Sequence, residues 1–174
     1  TGTYNGFNPR TPNVVWRSDT RTDDSPFKVL HRLTKAEGTI PSVPVLYKGS
    51  LFATAEQDGP FFIFGAFKTD ATTGATTTFE NFNAQNIGRN PDTGLARLKG
   101  GAWVGTTLAG GKSQLGTVFV LRPPATTQGP WTHEIVHNFS AENGYRSAGT
   151  PLTDSQASIY LAVMQGNGRR CGSV

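Results

Sequence analysis

Metal-ligating and proton-moving side chains crowd most closely in the stretch His133-Glu134-Ile135-Val136-His137. On a helix, two histidines four residues apart share a face and hold one zinc ion, with the intervening glutamate as general base. Here Ile135-Val136 and the surrounding repeat favour a strand. On a strand the two imidazoles stand about 13 Å apart on one face, too far to ligate one metal. A zinc protease is therefore excluded, and neither a metal site nor a cofactor is expected.

The other reactive groups are no better placed. The chain has 12 carboxylates, of which Glu80 and Glu134 fall in strand-like segments and Glu56 and Asp58 in a loop. An acid and a base converging from two such segments would suit glycoside chemistry, but a solvated face is the plainer reading. There is no G-x-S-x-G elbow, and the single cysteine, Cys171, has no nearby His or Asn. Gly110-Gly111-Lys112-Ser113 resembles the end of a phosphate loop. Counting back, the first glycine of G-x-x-x-x-G-K-[ST] would have to be Thr106, and a strand pattern follows instead of a helix. No residue is thus marked as catalytic.

Composition narrows the partners. The 174 residues include 21 Gly and 11 Pro, and the abundance of Thr alongside them favours strands and turns. The net charge of +4 is spread along the chain rather than gathered in a basic stripe with aromatics, so nucleic acid is not expected as a partner. No run of 18 apolar residues is present, so membrane insertion is not expected either. Asn138-Phe139-Ser140 is an acceptor sequon if the protein is secreted from a eukaryote.

What positions these residues is a repeat. "VLHRLTKAEGTIPSVPVLYKGSLFATA" from Val29 aligns with "IVHNFSAENGYRSAGTPLTDSQASIYLAV" from Ile135, placing His31 on His137, Leu33 on Phe139 and Gly38 on Gly144. A middle copy starts at Phe79, with Phe82 on Leu33 and Ala102-Trp103 on Leu51-Phe52. Leu46 and Leu152 match as buried leucines. The period is about 50 to 57 residues. Each copy reads as four short strands separated by Gly, Pro, Asn and Asp, a β-meander that must pack against its neighbours.

The expected fold is all-β: one repeat domain over 1–174, a β-propeller-like array of about three four-stranded units. The boundaries are a partial unit at 1–26 and units at about 27–70, 78–124 and 131–174. Gly2-Thr3 and Val15-Trp16 match Gly105-Thr106 and Val118-Phe119, and the final "CGSV" matches "LGTV". The array is therefore expected to be incomplete at both ends. Three units are too few to close a propeller, and open edges invite pairing. Closure by homo-oligomerisation, two chains making six blades, is the expectation; a fragment of a longer repeat protein is the rival.

The motifs resemble the GloVer-type tandem repeat of secreted or surface-anchored proteins. "VLHRL", "FENF" and "VHNF" match its first strand, "LFATA", "AWVGTT" and "IYLAV" its central strand, and "GTVFVL", "GAFK" and "GSV" its last. The resemblance implies a propeller-like all-β repeat and a secreted or cell-surface location. It implies no reaction.

Aromatics at repeat positions are mostly core, yet some suit an axial channel or a groove between blades. The candidate ligand-binding residues are Phe52, Trp103, Tyr160, Thr106, His31 and His137, with Trp16 and Trp131 also recurring near strands. The leading expectation is a non-hydrolytic binding protein for a glycan or small apolar molecule. Alternatives are a cofactor-independent cyclase, whose pericyclic step needs mainly orientation, and a structural surface, filament or virion component.

Overall fold

The computed structural model describes residues 14–18, 28–34, 37–38, 40–56, 65–82, 87–91, 93–126 and 129–165. Every regular element among them is a β-strand, and every paired sheet is antiparallel. β1 (Val14–Arg17) and β2 (Lys28–Arg32) form a two-stranded sheet. Next comes a sheet four strands deep. β3 (Ile40–Pro41) and β4 (Val45–Tyr47) share one edge of β5 (Ser50–Glu56), followed by β6 (Gly65–Asp70) and β7 (Thr76–Asn81).

A second four-stranded meander holds β8 (Ala96–Arg97), β9 (Trp103–Thr106), β10 (Thr117–Arg122) and β11 (Thr132–Asn138) in that order. In the last part, β12 (Tyr145–Ser147) pairs with β15 (Val163–Gln165), and β13 (Leu152–Thr153) pairs with β14 (Ile159–Tyr160). The protein is all-β, in several antiparallel sheets; the described strands form no closed ring or barrel.

The central strands are apolar on both faces because sheets pack on both sides of them. Three clusters result. Val15 and Leu33 meet Leu51, Ala53, Ala55 and Phe67. Phe52, Ala66 and Phe82 meet Leu95, Trp103, Phe119 and Leu121. Val104, Val118, Val120 and Phe139 meet Val163. Leu33, Phe82 and Phe139, matched in the repeat, are 2%, 0% and 2% exposed and serve one cluster each. Burying such a side chain contributes about 1.5–3 kcal/mol.

The ladders repeat as well. A bulge interrupts β1–β2 after Val15, β6–β7 after Ala66 and β10–β11 after Val118. The residues opposite the bulge are His31, Glu80 and His137, so His31 and His137 do occupy one repeat position. The sheets, however, are one strand out of phase with the sequence repeat. The strand that opens each sequence copy is hydrogen-bonded to the strand before it, as β2 is to β1, β7 to β6 and β11 to β10.

Two expectations need correction. Leu46 and Leu152 are 62% and 71% exposed, since each lies on a short edge strand. The central-strand alignment also shifts by one residue: Leu51 and Trp103 face one way along their strands, Phe52 and Val104 the other. The matches involving Gly2-Thr3 and "CGSV", together with Cys171, Asp58 and most of the partial unit at 1–26, lie outside the described residues.

Candidate functional site

A row of aromatic rings runs from the first meander into the second. Tyr47 meets the edge of Trp103 at 6.0 Å, and Trp103 stacks on Phe52 at 4.4 Å. Phe52 meets Phe79 at 6.1 Å, and Phe79 lies against Trp131 at 4.3 Å with a 32° tilt. The middle of the row is sealed, with Trp103 and Phe52 only 1% and 6% exposed. Its ends are half-buried. Cations border it: the Arg97 guanidinium lies 3.8 Å from the Tyr47 ring centroid and donates to the Tyr47 hydroxyl, and Lys68 Nζ is 5.9 Å from Phe52.

At the Phe79–Trp131 end the row opens into a groove of about 570 Å³. One wall is β7, from Thr77 to Asn81; the other is Gly129, Pro130 and Trp131, which lead into β11. Thr77, Thr78, Glu80 and Asn81 line the groove beside the aromatic pair, and the bulge in β6–β7 interrupts the alternation between Thr78 and Glu80. Glu80 is held from behind: His133 Nδ1 lies 3.1 Å from its Oε1, and the side chains are 8% and 14% exposed. The carboxylate accepts, so Nδ1 carries the proton. The ring packs between Phe82 and Phe119, each at 5.3 Å, and its buried Nε2 has no partner. Glu80 is thus a positioned acceptor. It is also the only carboxylate among the described residues lining the groove, whereas glycoside hydrolysis ordinarily uses two.

A second groove, of about 430 Å³, lies along Val118, Val136, His137, Phe139 and Asn143, with Ile159, Leu161 and Val163 opposite. It is more apolar than the first.

Of the six ligand-binding candidates, only Phe52 and Trp103 touch one another, inside the packed row. Thr106 is 0% exposed and its hydroxyl is 2.8 Å from that of Thr93. Thr93 in turn offers its carbonyl to the Thr54 hydroxyl at 2.9 Å, so these hydroxyls tie the two meanders together. His31 Nε2 lies 3.0 Å from the Glu37 carboxylate across a turn. His137 is exposed beside the second groove, its ring 5.7 Å from Phe139. Tyr160 is 54% exposed and donates its hydroxyl to Asp154 at 2.9 Å. Three of the six are therefore committed to packing and three to separate surroundings.

The sequence did not single out Phe79, or Glu80 as a partner of His133. Those two pairings join residues about 50 positions apart. A faint signal exists, because Phe79-Glu80 holds the ladder position of Val136-His137.

Among the described residues no group of three or more metal-ligating side chains converges. No helix among the described residues is long and apolar enough to cross a membrane. Gly110-Gly111 lies in the connection from β9 to β10, both at positive φ, with no helix following. Asn138 is half-buried and its Oδ1 accepts from the Lys112 amide at 2.8 Å. Glu134 pairs with Arg122 on the exposed side of its sheet at 2.9 Å.

These features define an all-β protein of repeated antiparallel sheets with an aromatic groove that carries one buttressed carboxylate. No protein-family model matches the chain, and no curated protein matches it.

Proposed function

We propose that the protein is a non-hydrolytic, glycan-binding β-propeller-like repeat protein of the secreted or cell-surface kind, and that the Phe79–Trp131 groove takes the sugar. The observation that carries this is the half-buried pair of rings, 4.3 Å apart, beside a fixed Glu80. A pyranose offers an apolar C–H face and a rim of hydroxyls. Phe79 and Trp131 supply the complementary ring faces, and Glu80, Asn81, Thr77 and Thr78 supply hydrogen-bonding groups at the edge. A single carboxylate among the described residues of the groove favours binding over hydrolysis.

The repeat that carries the likeness to the GloVer-type pattern returns in the recurring bulge and in the three matching core positions Leu33, Phe82 and Phe139; the family itself rests on the sequence motifs alone. The surface location rests on that likeness.

The test is a glycan array followed by calorimetry on the hits. Binding in the micromolar to millimolar range is expected for an open groove. Trp131→Ala should weaken it at least tenfold, about 1.4 kcal/mol, with the far-ultraviolet spectrum unchanged. A blank array, or a ligand indifferent to Trp131→Ala, would overturn the reading.

A further inference from the structure

The last strands bear an apolar face that is buried in the other two copies. β14 and β15 form one run, 159–165, that corresponds to β5: Val163 faces Ser147 as Ala55 faces Pro41. Tyr160 then corresponds to Phe52 and Val104, which are 6% and 0% exposed. Ala162 corresponds to Thr54 and Thr106, both 0% exposed. Tyr160 and Met164, on that same face, are instead 54% and 52% exposed, and Ala162 is exposed too. The 430 Å³ groove marks a related gap. Beside Leu33 packs Phe67 of β6, and beside Phe82 packs Phe119 of β10. Phe139 has the groove there, with no third strand of the sheet among the described residues.

β1–β2 is a pair of the kind this sheet does not have among the described residues. Its bulge identifies it as the third and fourth strands of a sheet, with Val15 at the position of Ala66 and Val118 and Trp16 at that of Phe67 and Phe119. Among the described residues it pairs with no first or second strand, and it is not hydrogen-bonded to β14 or β15 of the same chain. Joining the two within one chain would close three sheets, fewer than the four to eight of a propeller.

We propose that a second copy of this chain covers the Tyr160–Met164 face, its β1–β2 pair extending the β14–β15 run as the third and fourth strands. The register follows from Ala53↔Phe67 and Thr54↔Ala66 in the first meander and Gly105↔Phe119 and Thr106↔Val118 in the second. It sets Leu161 opposite Trp16 and Ala162 opposite Val15 of the second copy. The exchange is reciprocal, so two copies close a ring of six sheets with the described edges of this kind paired. This assembly is independent of whether the Phe79 groove binds a glycan.

Light scattering on the full chain reads the mass, and Met164→Glu changes an exposed residue that the isolated chain does not need. The expected result is twice the chain mass at micromolar concentration, falling to one chain mass in Met164→Glu with an unchanged circular-dichroism spectrum. In a Cys171→Ser background, Ala162→Cys with Val15→Cys should give a disulfide between chains on oxidation. One chain mass for the wild type, a disulfide confined within one chain, or a dimer indifferent to Met164→Glu would each overturn the proposal.

Discussion

Phe52 and Trp103 stack with their ring centroids 4.4 Å apart and their planes 25° from parallel, one from each of the two large sheets. Phe52 projects from the face of β5 that looks toward the second sheet, and Trp103 from the face of β9 that looks back. Truncating Phe52 opens a cavity in the middle of a five-ring row. Phe52→Ala should therefore cost about 3–5 kcal/mol, read as a fall in the urea midpoint with an unchanged slope. Trp103→Leu puts at that position the residue type its counterpart Leu51 already has, and should cost clearly less. The same stack reports on itself, since Phe52→Ala changes the surroundings of the Trp103 indole and should shift the tryptophan fluorescence.

That pair also shows what a sequence conveys and what it withholds. Alternation and Gly-rich turns specify strands, and the repeat of Leu33, Phe82 and Phe139 specifies three like cores. The alignment of Leu51-Phe52 with Ala102-Trp103 errs by one residue, and in a strand one residue is the difference between opposite faces. Hydropathy cannot detect that slip because both faces of these strands are buried. The exposed Leu46 and Leu152 mislead for a related reason: their strands are short edges, and a leucine there covers little. The groove was less legible still. Phe79 and Trp131, or Glu80 and His133, become neighbours only when two sheets pack, and no local pattern encodes that.

Glu80 tests whether the groove's acceptor is held by its buried partner. Removing the carboxylate leaves His133 with neither ring nitrogen bonded, because its Nε2 is already buried and alone. Glu80→Ala should destabilise the protein by about 1–3 kcal/mol, whereas Glu80→Gln keeps an acceptor for Nδ1–H and should cost less than half as much. Thermal unfolding of the two variants separates these outcomes. A Glu80→Gln protein that unfolds as early as Glu80→Ala would show that charge, not the hydrogen bond, holds His133.

Glu37 gives the fold an acid-sensitive turn. Burial works against its ionised form, but the Thr34 amide, the His31 ring and the Thr34 hydroxyl outweigh that, and its carboxyl is held below its ordinary value of 4.5. Folding thus favours the ionised group. The stability it contributes is complete above about pH 4.5 and is lost as pH falls through the lower, folded-state value. Glu37→Gln should lower stability at pH 7 by about 1 kcal/mol and flatten the decline on the acid side. Melting temperatures between pH 2 and pH 7 check both points; parallel curves for the two proteins would contradict the assignment.

Gly116, just before β10, and Gly100, in the turn between β8 and β9, separate two costs of replacing a glycine. Both have positive φ, +99° and +86°, so alanine is strained at either place by about 1 kcal/mol. Around Gly100 nothing lies within 4 Å of a new Cβ. At Gly116 the Cβ would overlap the Thr107 carbonyl oxygen, a backbone atom in a buried turn that cannot swing aside. Next to it the Thr117 amide donates to the Thr107 hydroxyl, and the Gly116 carbonyl accepts from the Phe139 amide. Any retreat of the chain at Gly116 therefore loosens the entry to β10 and the seat of Phe139 together. Gly116→Ala should cost about 3 kcal/mol or more and Gly100→Ala about 1 kcal/mol, measured by urea unfolding. Near-equal losses would mean that backbone strain alone sets the cost, and that the close approach to Thr107 relaxes freely.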